Sequence, residues 1–185
     1  VTTALGPPFS RLLLNEGKGE WRSEMSSLRD LGRVLSTVRI LWLSGCGISD
    51  LDGIEVCEQL TELYISFNAI KDLSPLFRHS SLEVLDLDHN KINSLQTVEF
   101  ISSIRTLRSL SLEGNPICFR MYYRRMVCLR TPHIHWLDNR KVTEKDREPV
   151  TEKEEKLLNQ DMKRAAEAVE RLREGIFPGG DALFS

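Results

Sequence analysis

A chain of 185 residues, 41% hydrophobic and 28% charged, has room for one globular unit and an appendage. Its formal net charge of −2 supplies no global field to draw it onto nucleic acid or a membrane surface. No apolar run approaches the roughly 18 residues of a membrane span.

Four cysteines, Cys46, Cys57, Cys118 and Cys128, form no C-x-x-C pair. There is no N-x-S/T acceptor either, and together these point to reduced thiols in a cytoplasmic compartment. The chain starts on Val1 with no signal-peptide pattern, and is expected to be a fragment with flanking segments.

Residues 1–8, with Gly6-Pro7-Pro8, read as an irregular lead-in. Phe9-Ser-Arg-Leu12-Leu-Leu14-Asn15 matches the strand and turn of a first, degenerate repeat. About seven extra residues around Gly17 to Trp21 interrupt it, before Met25, Leu28 and Leu31 resume the apolar spacing.

The regular pattern follows. Leu82-Glu-Val-Leu85-Asp-Leu87-Asp-His-Asn90-Lys-Ile92-Asn-Ser-Leu95 reads L-x-x-L-x-L-x-x-N-x-I-x-x-L, one leucine-rich repeat. A step of 22 residues back refills the key positions with Leu60, Leu63, Ile65, Asn68, Ile70 and Leu73. A second step gives Val38, Leu41, Leu43, Cys46, Ile48 and Leu51. A step of 25 forward gives Leu107, Leu110, Leu112, Asn115 and Ile117.

In L-x-L the two leucines point to one side of a short strand, so stacked coils share a core that none could bury alone. The asparagine amides are placed to satisfy the backbone groups that each turn leaves unpaired, with Cys46 taking that place in one coil. The segments Leu51 to Ile54, Leu73 to Leu76 and Leu95 to Val98 should be short helical or 3₁₀ turns on the convex side. A fuller helix is expected over Glu99 to Arg105, and Pro75 suits a first turn.

After Asn115-Pro116 the pattern changes to Tyr123-Arg124, Val127, Pro132, Leu137-Asp138 and Val142, a C-terminal cap over 118–148. A cap is required, because the last coil would otherwise leave its leucines and a sheet edge open. Thr151-x-x-Glu154 then opens a helix over 149–176, closed at Gly175. Leu158, Met162, Ala165, Val169, Leu172 and Ile176 form a narrow heptad stripe along it, too short for a free-standing coiled coil. Its start, where Leu157 adjoins Leu158, is expected to touch the cap. Its distal part, with Phe177, Leu183 and Phe184 in the tail 177–185, is expected to meet a partner chain.

The fold expected is therefore an α/β solenoid, with short parallel strands on the concave face of about five coils over 9–117. No nucleophile elbow or phosphate-binding glycine loop appears, so the chain reads as a binding module without cofactor or small-molecule substrate. Asp86-x-Asp88-x-Asn90 resembles the start of a calcium loop, but Lys91 and Thr97 occupy the positions that need Gly and Glu. His133-x-His135 lacks a third ligand nearby in sequence.

The outward strand positions form three columns. The middle column is Leu13, Trp42, Tyr64, Asp86 and Ser111. One flank is Arg11, Ile40, Glu62, Val84, Ser109 and, in the cap, Trp136. The other is Asn15, Ser44, Ser66, Asp88 and Glu113. The expected protein-binding surface joins Ile40, Trp42, Glu62 and Tyr64 to Asp86, Asp88, Glu113 and Trp136, aromatics beside charge. In the cap Arg120, Arg124, Arg125, Arg130, Arg140 and Lys141 face one Asp138 within 22 residues. This basic patch suits an acidic partner, while nucleic acid would call for interleaved aromatics.

Repeats and cap together resemble the intracellular leucine-rich repeat proteins of 22-residue period. Their members include a spliceosomal subunit, a phosphatase regulator and an axonemal dynein light chain. Leu28-Arg-Asp-Leu-Gly, Leu41-Trp-Leu-Ser-Gly-Cys-Gly-Ile-Ser-Asp-Leu-Asp-Gly-Ile54 and Leu73-Ser-Pro-Leu76 with Leu82-Glu-Val-Leu-Asp-Leu87 are most similar to a ciliary branch. That resemblance implies a non-enzymatic adaptor of motile cilia, in the cytoplasm and at the axoneme. Its implied role is outer dynein arm assembly, transport or docking. The implied partners are outer dynein arm components, intraflagellar transport proteins or doublet microtubule-associated proteins. A ribonucleoprotein scaffold and a phosphatase-regulating subunit are the alternatives the wider group implies.

Overall fold

The computed structural model describes residues 11–13 and 36–173. The chain divides into two compact units, Val1–Glu148 and Pro149–Ser185.

The first unit is built on one seven-stranded sheet whose strands follow in chain order. They are β1 (Arg11–Leu13), β2 (Ile40–Trp42), β3 (Glu62–Tyr64), β4 (Val84–Asp86), β5 (Ser109–Ser111), β6 (Trp136–Leu137) and β7 (Arg140–Lys141). Pairing is parallel from β1 to β6 and antiparallel between β6 and β7. Arg11 stands opposite Ile40, so the first interval is longer than the 22-residue period, as the insertion requires. The calcium-like spacing and the short strands thus have one cause, the leucine-rich solenoid.

Each strand is three residues or fewer; in β2 to β5 the central residue points into the core, and in β6 Leu137 does so. Leu41, Leu63, Leu85, Leu110 and Leu137 are buried, joined by the leucines and isoleucines that flank the asparagines. Burial of each such side chain contributes about 1.5–3 kcal/mol. On the far side of the coils lie 3₁₀ turns at Ile54–Val56 and Ser74–Leu76, the latter with Pro75 in its first turn. The fourth coil instead carries α1 (Leu95–Ser102). This helix begins earlier than the expected Glu99, because Ser94 caps it by accepting from the Gln96 N–H at 3.1 Å.

The asparagines act as predicted. Asn90 Nδ2 donates to the Ile65 and Leu87 carbonyls, both at 3.0 Å, and its Oδ1 accepts from the Ile70 N–H at 2.9 Å. Asn68 and Asn115 make the equivalent bonds one coil before and one after. Each amide therefore ties its own coil to the preceding one in an interior where an unpaired carbonyl is costly. Asn90 is consumed by this role, which removes it from any shared cation site with Asp86 and Asp88. In the second coil Cys46 Sγ makes a weaker contact, 3.8 Å from the Ser44 carbonyl.

The cap continues the sheet and then closes it. Asp138 and Asn139, both with positive φ, form the two-residue turn between β6 and β7. The outer strand ends on Arg140 and Lys141, charged residues that discourage further pairing. Behind it α2 (Tyr123–Arg130) buries Val127 and Cys128.

The second unit contains α3 (Glu152–Arg173). Its capping box is formed. The Thr151 N–H donates to Glu154 Oε2 at 2.9 Å, and the Glu154 N–H donates to Thr151 Oγ1 at 3.4 Å. Gly175, Ile176 and the tail lie outside the described residues, as do the side chains of Met162, Ala165, Val169 and Leu172. Of the expected start, Leu158 is buried and Leu157 is exposed, so Leu157 adds nothing to a buried face there.

Candidate protein-docking surface

The strand register sets the surface columns. Trp42 pairs with Tyr64, Tyr64 with Asp86, and Asp86 with Ser111, so the middle column is continuous from β2 to β5. Ile40, Glu62, Val84, Ser109 and Trp136 align beside it, the last through β6 of the cap. On the other flank the Ser66 hydroxyl donates to the Ser44 hydroxyl at 2.9 Å. Asn15 lies outside the described residues.

At the β2–β3 end the rings of Trp42 and Tyr64 approach to 4.5 Å between centroids, inclined by 41°. Tyr64 is held further by its hydroxyl, which donates to Glu62 Oε2 at 2.8 Å. Trp42 is 36% exposed and Trp136, four strands away, 46%. This end of the face therefore presents two oriented rings, partly open to solvent, beside a carboxylate.

The carboxylates fall into two kinds. Asp88 is built into the structure: its Oδ1 accepts from the Ser111 hydroxyl at 2.6 Å and from the Glu113 N–H at 2.8 Å. Glu113 is exposed. Asp86 is half-buried, and its Oδ1 accepts from the Asp88 N–H at 3.0 Å. Burial pushes the Asp86 carboxyl above the usual range and the neighbouring Asp88 adds to this, although the Asp88 N–H opposes it.

The cap cations do not form one free patch. Arg124 Nε lies 2.8 Å from Asp146 Oδ1, and its side chain is 17% exposed. Its other nitrogens donate to the carbonyls of Leu137, Arg140 and Lys141. It stitches α2 to the β6–β7 hairpin, and is unavailable to an acidic partner because a guanidinium so enclosed must spend its donors internally. Arg130 pairs with Glu99 at 3.3 Å, and Arg125 donates to the Glu148 carbonyl. Arg140 and Lys141 are exposed, and Arg120 is half-buried. Arg147, absent from the expected set, is a second stitch, donating to the Pro132 and Ile134 carbonyls.

Two further surfaces have no forerunner in the sequence reading. On the convex side exposed Phe77 and Phe100 line an open groove with Pro75, rimmed by Asp52, Glu55 and Glu99. At the edge of the sheet face, exposed Phe67 stacks on His89 with centroids 4.4 Å apart. Glycine at the equivalent points of neighbouring coils, Gly45 and Gly114, was the available signal for that second feature. His133 and His135 gain no third ligand: among the described residues no group of three His, Cys, Asp or Glu side chains could hold a metal ion. Burial pushes the Cys57 thiol up to about 12 and Cys128 to about 11, where thiols are inert.

The family model described as "Leucine-rich repeat" matches residues 20–169. Mouse leucine-rich repeat-containing protein 56 is 41% identical over 128 residues, 63% of this chain and 23% of its own length. A dynein axonemal assembly factor 1 homolog of Drosophila melanogaster is 36% identical over 99 residues, 51% of this chain and 7% of its own. The chain thus spans about a quarter or less of these curated relatives. Among solved structures, the Drosophila melanogaster SNF/U2A′ complex contains a chain of the same fold. It has a TM-score of 0.60 and 24% identity, covering 70% of this chain and 79% of that one. With strands, asparagine ladder and cap all in register, the chain belongs to the leucine-rich repeat family.

Proposed function

We propose that this chain is the protein-docking part of a ciliary adaptor, acting in the assembly, transport or docking of outer dynein arms. The observation that carries the docking role is the Trp42–Tyr64 pair, two large rings in contact on the sheet face, with Ile40 alongside. A solvent-facing strand gains little from such rings, whereas a partner that covers them gains their full apolar area. The ciliary assignment is supported by likeness to mouse leucine-rich repeat-containing protein 56 and to the fly axonemal assembly factor homolog. Since one fold hosts many partners, the site and the likeness must be tested together.

The test is a tagged chain expressed in multiciliated cells, as wild type and as Trp42→Ala with Tyr64→Ala. Wild type is expected in cytoplasm and cilia and to co-purify with outer dynein arm heavy chains. The double variant, folded to the same melting temperature, loses that co-purification. Accumulation in nuclear speckles overturns the ciliary reading in favour of a ribonucleoprotein scaffold.

A further inference from the structure

Three residues after the end of each of the strands β2 to β5 stands a residue with positive φ: Gly45 at 68°, Phe67 at 56°, His89 at 52° and Gly114 at 72°. Glycine takes this conformation freely, while in any residue with a Cβ that atom crowds the neighbouring carbonyl oxygen. Two coils meet the demand with glycine and two carry a strained aromatic side chain. The strain is matched by an arrangement of the side chains. The Phe67 and His89 rings lie 4.4 Å apart and within 18° of parallel. A Cβ on Gly114 would collide with His89 Nδ1, so glycine there lets the imidazole lie where it does. Phe67 stays 63% exposed.

The main chain of the stack is paired to acidic residues of the following coils. The Phe67 N–H donates to the Asp88 carbonyl at 2.9 Å, and the His89 N–H to the Glu113 carbonyl at 2.7 Å. Each ring is therefore carried by a residue whose main chain is paired to an acidic residue of the following coil, and the His89 side chain lies close enough to the Asp86 carboxylate to interact with it. We propose that the Phe67–His89 stack is a platform for an arginine side chain on the segment that docks on the sheet face, with Glu113 and Asp86 sharing its charge. This deepens the docking reading above and rests on it. A planar, weakly hydrated guanidinium stacks on a flat ring while its edge donates to carboxylates. An ammonium is compact, strongly hydrated and fits less well.

The test is an NMR titration of the isotope-labelled chain with N-acetylarginine methylamide, its lysine counterpart and its uncharged citrulline counterpart. Arginine is expected to shift the Phe67, His89 and Glu113 amides, with lysine weaker by about two- to five-fold and citrulline weaker still. Phe67→Gly should abolish the arginine response and raise the melting temperature, since glycine accepts the backbone conformation without strain. Trp42→Ala should leave the arginine response intact. Equal response to lysine and arginine, or an unchanged response in Phe67→Gly, overturns the platform. A partner retained by Trp42→Ala with Tyr64→Ala, while arginine still binds, overturns the docking reading and leaves the platform standing.

Discussion

Arg124 on α2 and Asp146 near the end of the first unit are joined at 2.8 Å, and this pair holds the cap together. Asp146 also accepts from the Thr143 N–H at 2.8 Å, so one carboxylate caps a 3₁₀ turn and anchors a guanidinium. Removing either partner strands a largely enclosed charge. Arg124→Ala should destabilise the first unit by about 2–4 kcal/mol, more than a surface ion pair could. Denaturant unfolding measures this directly, and a loss near zero would show that the stitches through Arg147 suffice.

The same pair predicts an acid response. Burial alone would raise the Asp146 carboxyl, but the Thr143 N–H and Arg124 outweigh it and hold it below the usual carboxylate range. A depressed folded pKa gives stability that is present above the unfolded value, about 3.9, and lost as pH falls through the folded one. Asp146→Asn should therefore lose stability at neutral pH and show a shallower fall below about pH 4. Melting temperatures from pH 7 downward test it; parallel wild-type and variant curves would exclude the linkage.

Substitution in the repeat core should be costly at any pH. Leu85 and Leu87 are fully buried, and truncation of either to alanine leaves a cavity worth about 2–5 kcal/mol. Asn90→Ala should cost about 2–4 kcal/mol, because it leaves the Ile65 and Leu87 carbonyls and the Ile70 N–H without their partner. An unaltered melting temperature in any of the three would refute the assigned register.

The period made much of this legible. Leucines at fixed offsets determine which strand residue points inward, so Trp42 beside Tyr64 and Ser109 beside Trp136 could be read off the chain. Roles that depend on distant residues could not. Arg124 looks like its cationic neighbours until Asp146, far along the chain, folds against it. The sequence separates a short helical or 3₁₀ turn at Leu95 to Val98 from a fuller helix after it, whereas the two are one helix, because the Ser94 cap starts it at Leu95. Phe67 and His89 were missed for a different reason: their placement is a backbone matter, visible in sequence only through Gly45 and Gly114.

On the sheet face, Trp42→Ala and Tyr64→Ala should each weaken partner binding by about 2 kcal/mol without unfolding the chain. Glu113→Lys should chiefly slow association and reverse its salt dependence, as expected of an exposed charge. Asp88 is expected to behave differently. Its carboxylate is already committed to Ser111 and the Glu113 N–H, so Asp88→Ala should lower stability as well as binding. Paired melting and affinity measurements separate the two classes, and an Asp88→Ala variant of wild-type stability would put its carboxylate among the free ones.

Asp86 reverses the usual relation between charge and stability. Its folded carboxyl lies above the usual range, first because it is buried and then because Asp88 is near. A raised carboxyl pKa means that the folded chain binds the proton more tightly than the unfolded chain. Its ionisation therefore costs stability at neutral pH, and that cost is recovered as pH falls through the raised value towards the unfolded one. Asp86→Asn keeps an oxygen that can accept from the Asp88 N–H while removing the charge. The variant should melt at a higher temperature than wild type at pH 7, and the difference should shrink as the solution is acidified. If the face receives a cationic side chain, the same variant should bind its partner more weakly, so stability and affinity move in opposite directions. Calorimetry at two pH values with a binding titration decides it: a variant that is less stable at pH 7, or more stable and equally tight, would remove Asp86 from the docking surface.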